Sequence, residues 1–458
     1  MNGETTKAQR LQRLLQSSKS AKLLAVRRVT QDNSGKKTAG IDGIKSLKPN
    51  ERVDLVENLN WKKAPKPVRR IYIPKAGKKE VRPLGIPVME DRAKQALAKL
   101  ALEPEWEARF EPNSYGFRIG RATHDAIKAI FTAIARKKGG SFVLDADIKG
   151  CFDNIDHESL LQKVNTYPRM RRIIKGWLKA GILDKGVFQK SEAGTPQGGV
   201  ISPLLANIAL DGMEQYVKDR LEEDLFQAQK ARTRREGLKK SSNNRRNARD
   251  AMTIVRYADD FVVLHRDRDI VEKAQSVIEE FLLGMGLELK PSKTRIAHTR
   301  ENLDGKIGFD FLGWTVRQFE DDKTAMGQKT IIKPSKDSVK RHLRAIKDEI
   351  DRKKGANQLA LITKLNPIIK GWSRYHATVV SGRTFGYLRM KVFEKLWRWA
   401  CFNHAHKGKE WIRSRYWRKH GKNNWRFMTE SGNFLMCHSD HLVRRHTMIN
   451  PSKSPYDG

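Results

Sequence analysis

The sequence predicts an α+β chain, and three observations lead there. Residues 253–265 (Thr253-Ile-Val-Arg-Tyr-Ala-Asp-Asp-Phe-Val-Val-Leu-His265) place β-branched, apolar runs on either side of two adjacent acids, the pattern of a strand, a tight turn and a returning strand. Residues 141–148 form another short apolar run with Asp147 near its end. From Lys333 onward the composition turns to basic helices, with Val339, Leu343, Ile346 and Ile350 forming one apolar face.

Composition narrows the function classes. The 458 residues are enough for two to four domains with real cores. Lys and Arg total 91 against 52 acids, a formal charge of +39 spread along the chain, which calls for a polyanionic partner, nucleic acid first. No apolar run has the length of a spanning helix and no signal-peptide core is seen, so the expectation is no membrane and a cytoplasmic protein. Cys151, Cys401 and Cys437 lie far apart without a Cys-x-x-Cys, which suggests neither a disulfide framework nor a zinc ribbon. Cys437-His438 with His441 and His446 lacks a second Cys pair and is not read as a metal site.

In order along the chain, a basic helix is expected over residues 7–29 with Leu11, Leu14, Leu15, Leu23 and Leu24 as its apolar positions, followed by a turn-rich stretch ending in Gly40-Ile-Asp-Gly43. Residues 61–87 alternate basic and β-forming residues and read as a cationic hairpin turning at Gly77. Residues 92–110 read as a helix. The Gly and Pro density of residues 194–203 marks a tight loop, of the kind that lets backbone approach a ligand, before a helix at 204–210. Residues 226–250 carry nine Lys or Arg against two acids and read as a solvated helical excursion or a partly flexible loop, for which contact with an RNA backbone is the expected role. An amphipathic helix is expected at 270–283.

Asp259 and Asp260 taken alone could be turn formers, since Asp tolerates the backbone of hairpin turns. A third carboxylate, Asp147, on a neighbouring strand would instead complete a site for hard divalent cations, which take oxygen ligands and keep waters and substrate phosphates. Two such ions can activate an attacking hydroxyl and stabilise a leaving pyrophosphate. Asp147 with Phe152 five residues on, then Gly194-Thr-Pro-Gln-Gly-Gly-Val-Ile-Ser-Pro203, then Tyr257-Ala-Asp-Asp260, resembles in that order the reverse transcriptases encoded by group II introns. Asn113-Ser-Tyr-Gly-Phe-Arg118, residues 287–296, residues 308–314 and Leu365-Asn-Pro-Ile-Ile-Lys-Gly-Trp-Ser-Arg-Tyr-His376 extend the resemblance over essentially the whole chain.

The resemblance implies a right-hand polymerase: an N-terminal extension over 1–60 with a loop on the template, fingers and an antiparallel-sheet palm over 61–316, an α-helical thumb or maturase domain over 333–400, and a small basic DNA-binding segment over 401–458. It implies Asp147, Asp259 and Asp260 as catalytic ligands of Mg²⁺. Lys75 and Arg82 would hold the triphosphate of the incoming dNTP, Gln197 would touch the nucleotide, and Phe152 would exclude a 2′-hydroxyl. Lys340, Arg341, Arg344 and Lys347, on the cationic face of the first basic helix, are the expected contacts to group II intron RNA. Trp397 and Trp399 are expected to be core. The implied function is RNA-directed DNA synthesis with assistance of splicing, reverse splicing and retrohoming into target DNA, in a bacterial cytoplasm or organelle matrix and at the nucleoid when on its target. A splicing-only maturase and a defence or retron reverse transcriptase are the alternatives. The intact acids and Gln197 count against the first, and residues 365–376 count against the second. No Cys- and His-containing nuclease module is recognised after Ser454-Pro-Tyr-Asp-Gly458, so cleavage of the second target strand is not expected.

Overall fold

The computed structural model describes residues 2–74, 80–135, 141–237, 244–324 and 327–457. Two units divide the chain: Met1–Ala129, Phe142–Ile296 and Ile449–Gly458 in one, Ile130–Ser141 and Ala297–Met448 in the other.

The first unit begins with α1 (Asn2–Ser17), α2 (Lys19–Arg27), α3 (Pro49–Glu57), β1 (Val68–Pro74), β2 (Val81–Ile86), α4 (Met89–Arg109) and α5 (Thr123–Ala135), the last running on past the division. It continues through β3 (Phe142–Asp147), α6 (Cys151–Asn154), α7 (His157–Val164), α8 (Pro168–Leu178), β4 (Ile182–Asp184), β5 (Val187–Gln189), α9 (Ser202–Leu210), α10 (Met213–Arg220), α11 (Glu222–Arg235) and α12 (Arg245–Ala251). β6 (Thr253–Tyr257), β7 (Asp260–His265), α13 (Arg268–Leu283) and β8 (Arg295–His298) complete it, the division falling inside β8. One four-stranded sheet has the order β2-β1-β4-β5 and the other β6-β7-β3-β8. Leu144 and Ala146 of β3 and Phe261 and Val263 of β7 enter the main core with residues of α4, α7, α8, α9 and α13, as strand alternation requires.

Helix α1 does not run on to Val29. Ser18 leaves helical geometry and its side chain accepts from the Ala21 backbone N–H, so a new helix starts there. The expected apolar stripe is also corrected, because Leu11, Leu14, Leu23 and Leu24 are exposed while Gln12, Gln16, Ala21, Ala25 and Val26 are buried. The two glutamines can take core positions because each has a partner: Gln12 donates to Glu105 at 2.7 Å and Gln16 to the Met170 sulfur at 3.4 Å. Residues 449–457 return to this unit, where the Arg121 guanidinium donates to the carbonyls of Asn450, Pro451 and Lys453.

The second unit contains β9 (Asn302–Leu303), β10 (Lys306–Ile307), β11 (Phe309–Phe311), β12 (Trp314–Glu320) and β13 (Gln328–Pro334). Four helices follow, α14 (Lys336–Arg352), α15 (Gln358–His376), α16 (Gly382–Asn403) and α17 (Lys409–Tyr416), and then a hairpin of β14 (Trp417–His420) and β15 (Asn423–Phe427). The expected boundary at 400/401 falls inside α16, and Ile412, Tyr416, Trp417, Phe427 and Leu435 share one core with Ile346, Leu365 and Leu396. Trp399 is in that core and Trp397 packs half-buried against it.

The inward face of α14 differs from the apolar spacing. Ser338, His342, Ile346, Glu349 and Ile350 are buried, whereas Val339 and Leu343 are only half-buried. Polar residues occupy the seam because they bond one another: Ser338 Oγ meets His376 Nε2 at 3.0 Å and accepts from Trp372 Nε1 at 3.2 Å, and the Nε2 atoms of His342 and His438 are 2.7 Å apart. Trp372 stacks on His342 and Tyr375 on Trp314, and the Tyr375 hydroxyl donates to the Leu312 carbonyl. Asn366 donates to the Phe434 carbonyl at 3.1 Å and accepts from the Met436 N–H at 2.8 Å. The 365–376 string thus builds the interior of this unit.

Removing Asn366 leaves both of those backbone groups short of a partner. Asn366→Ala is expected to cost about 2 kcal/mol, read as a lower denaturation midpoint. A midpoint within error of wild type would show that water replaces the amide at no loss.

Candidate active site

The acids are brought together by strand register. β7 pairs antiparallel with β3 and sets Asp260 opposite Asp147, and β6 pairs with β7 so that Tyr257 faces Asp260 across the two-residue turn Ala258-Asp259. The acid-tipped hairpin read from the sequence is thus present, with the third carboxylate on the adjacent strand. Asp147 is buried, and Asp259 and Asp260 are half-buried.

The turn is held in an unfavourable backbone. Ala258 has φ +59°, a region that costs an L-residue about 1–2 kcal/mol. The 113–118 string supports it: Arg256 N–H donates to Asn113 O and Tyr115 N–H to Arg256 O, both at 2.9 Å. Gly116 lies against the turn so closely that a Cβ there would meet Ala258 N at 2.3 Å. Under the hairpin the Arg256 side chain is buried, with Asn207 Oδ1 at 3.3 Å, and Asn207 in turn donates to Gly116 O at 2.7 Å. Burial holds the Arg256 pKa below its usual value, opposed by the charges of Glu111 and Asp211.

Three carboxylates this close disfavour one another's charge. Burial, and then the negative charges of Asp259 and Asp147, push Asp260 up to about 7. Asp259 is raised too, first by burial, with Asp147 adding to the rise and Lys293 and Arg82 opposing it. Lys293 is the residue that sequence reasoning missed. Its ammonium donates to Asp147 Oδ2. It is carried there by the 288–293 segment, which bonds to the end of β3 through Lys149 N–H to Glu288 O at 2.9 Å and Lys290 N–H to Asp147 O at 2.8 Å. The signal was present as Lys290-Pro-Ser-Lys-Thr294, a matched string given no role.

The remaining site residues fall into two groups. Arg82 is exposed on β2 yet its charge is felt at Asp259; Lys75 lies outside the described residues. Gln197 sits in the 194–203 loop, which is tied to β2 by Gly85 N–H donating to Gln197 O at 2.6 Å, and its Oε1 is buried without a hydrogen-bond partner among the described residues. Gly194 packs on α6 where a Cβ would meet Asp153 O at 2.4 Å, and Thr195 N–H donates to Phe152 O. Phe152 is half-buried, its ring meeting the Phe117 ring edge-on at 5.9 Å. Lys340, Arg341, Arg344 and Lys347 are all exposed on α14, Lys347 paired with Asp351 at 2.6 Å.

Among the described residues no three His, Cys, Asp or Glu side chains enclose an ion by themselves. A hard cation completed by water and substrate phosphates needs no such enclosure. The residues fit one on the chemistry of the set: burial and neighbouring carboxylates disfavour the charged forms of Asp259 and Asp260, and Asp147 already carries the Lys293 ammonium as a stand-in positive charge.

A sheet that brings three carboxylates to one turn fits the class of nucleotide polymerases, and the comparisons with known proteins place the chain in that class. A family model described as "Reverse transcriptase (RNA-dependent DNA polymerase)" matches residues 73–316, with "N-terminal domain of reverse transcriptase" over 1–59 and "Group II intron, maturase-specific domain" over 339–417. Protein YkfC of Escherichia coli K12 is 35% identical over 329 residues, 66% of this chain and 82% of that protein. Group II intron-encoded protein LtrA of Lactococcus lactis subsp. cremoris is 28% identical over 451 residues, covering 82% of this chain and 72% of LtrA. Maturase-like protein 1 of Euglena gracilis is 27% identical over 373 residues, with 80% and 70% covered. The chain belongs to the group II intron reverse transcriptases, and it is an RNA-directed DNA polymerase and splicing maturase. Reverse transcriptase domains generally use divalent metal ions. No helix among the described residues is long and apolar enough to cross a membrane.

A raised folded-state pKa favours the neutral carboxyl, so the contribution of Asp260 to stability is full below the ordinary carboxylate range and is lost as pH rises through about 7. In chelator-treated protein, Asp260→Asn should therefore match wild type near pH 4 and become progressively more stable than it toward pH 8. Denaturation midpoints of the two proteins across that range are the measurement, and a constant difference would mean that the carboxyl titrates normally.

Proposed function

We propose that Asp147, Asp259 and Asp260 hold Mg²⁺ for DNA synthesis on an RNA template. In this reading residues 61–316 serve as fingers and palm, 333–400 as thumb and maturase, and 401–458 as a DNA-contacting segment. The observation that supports it best is the register pairing of Asp147 with Asp260 next to the Asp259 turn. Bound ions would supply activation of the primer hydroxyl and neutralisation of the leaving pyrophosphate. Arg82 and Lys75 would neutralise the triphosphate, and Gln197, whose amide oxygen is unpartnered among the described residues, would bond the nucleotide. Phe152 would stand beneath the sugar, with the Phe117 ring beside it limiting its movement. Lys293 would keep a positive charge at the mouth of the site.

The exposed cations of α14 are assigned to intron RNA, and the basic stretch around α11 and α12 to further backbone contacts. Target DNA and dNTPs complete the set of partners, with action in a bacterial cytoplasm or organelle matrix and at the nucleoid during retrohoming.

Asp259→Ala or Asp147→Ala should lower primer extension on RNA by at least about a hundredfold, more than loss of a group that merely orients a metal ligand. RNA affinity should stay nearly unchanged, because it arises from distributed cations. Comparable extension by either variant would remove the metal assignment. Phe152→Val should let ribonucleotides compete with deoxynucleotides on one template; unchanged discrimination would make Phe152 a core residue alone. Neutralising Lys340, Arg341, Arg344 and Lys347 together should reduce the slope of log affinity against log salt by up to about three for single-stranded RNA. An unaltered slope would move the RNA contacts off α14.

A further inference from the structure

In the second unit, α16 and the β14-β15 hairpin bound an open cleft of about 430 Å³, within the range of small-ligand sites. Phe393, Trp417, Trp425 and Phe427 line it. Trp417 and Phe427 face each other across the hairpin and are buried in the core, as a structural role requires. Trp425 lies on the same face as Phe427 two residues away, yet 45% of it is exposed. Its ring meets Phe393 edge-on at 5.9 Å and Trp397 at 6.4 Å, and the rest of the indole is open at the mouth of the cleft.

The polar groups there have an anion-binding character. Arg389 lines the cleft with no carboxylate at ion-pair distance among the described residues, its one close acceptor being Asn423 Oδ1 at 3.4 Å. The Arg413 guanidinium stands 5.4 Å from the centre of the Trp425 ring. Arg426, 7% exposed, also lines the cleft but is engaged within the fold, bonding Asp440 through both Nη atoms and lying over the Phe434 ring. Residues 386–426 carry twelve Lys or Arg against two acids. A partly exposed indole beside guanidiniums that have no carboxylate at ion-pair distance among the described residues forms the combination that accepts a planar base bearing a phosphate.

We propose that this cleft binds one unpaired nucleobase, stacked on Trp425, with Arg389 and Arg413 holding its phosphate. The proposal deepens the reading of this unit as nucleic-acid-binding and rests on it. Intron RNA and a single-stranded stretch of target DNA offer the same chemistry, and the test separates them.

Full-length protein is titrated with a short single-stranded RNA, a DNA of the same sequence and a blunt duplex, and affinity is read by fluorescence anisotropy. Trp425→Ala should weaken binding of one or both single strands about tenfold, the loss of one stacked base, while leaving the duplex unchanged. Trp425→Phe, which keeps a ring, should recover most of the loss. A loss confined to RNA assigns the base to the intron, and one confined to DNA assigns it to the target. Unchanged single-strand affinity in folded Trp425→Ala, or an equal loss on the duplex, overturns the proposal. If Trp425→Ala does not fold, wild-type protein irradiated with a 5-iodouracil-bearing strand decides instead: a cross-link at Trp425 or Phe393 supports the site and none at either overturns it. Primer extension by the same preparations reports the polymerase separately, so failure of this cleft and failure of the catalytic reading are told apart.

Discussion

The arrangement of the first unit depends on holding three carboxylates together against their own repulsion. A backbone free to relax would separate Asp147, Asp259 and Asp260, and the raised pKa of Asp260 records its burial first and the charges of the other two second. The chain opposes that relaxation with rigidity. Two antiparallel pairings set the strands, and the tight turn carries Ala258 in left-handed geometry that only surrounding contacts can maintain. Gly116 leaves no room for the turn to shift, and Asn207 links that glycine to the buried Arg256. Strain and like charge are thus concentrated at one turn, while the helices packed behind the sheet supply the compensating burial.

Lys293 has a complementary part. Its ammonium offsets negative charge on Asp147 and opposes the rise at Asp259 and Asp260. The segment that carries it is bonded to the strand bearing Asp147, so charge and countercharge are positioned by one piece of backbone. The 194–203 loop follows the same logic: glycines let it approach α6 and β2 closely, which brings Gln197 and Phe152 into one framework with Arg82's strand.

The second unit separates interior from surface differently. Ser338, His342, Trp372, His376 and His438 form a buried polar and aromatic network, and Asn366 ties a helix to the 434–436 backbone. Such a network specifies one packing because every unmade bond in it is costly. The cations are left outside, on the exposed face of α14 and around the cleft at Trp425, where they meet solvent or a polyanion.

The sequence by itself determined the features that need only local pattern. Strand period and a two-residue turn made the acid-tipped hairpin legible, and the ordered strings identified the family, because catalytic residue types at fixed spacing survive without knowledge of packing. Tertiary structure decided what hydropathy cannot encode. Glutamines in α1 and Ser338 and His342 in α14 are buried because distant groups satisfy them, and Leu11 and Leu14 are exposed although their spacing suggested a core. Ser18, a residue with no apolar signal, broke the first helix through its own side chain. Position 400/401 lies inside α16, and Tyr416, Phe427 and Leu435 find their core against α14–α16, which no local pattern announces. Lys293 entered the site for the same reason: a charge remote in sequence from Asp147 meets it only once the strands are paired.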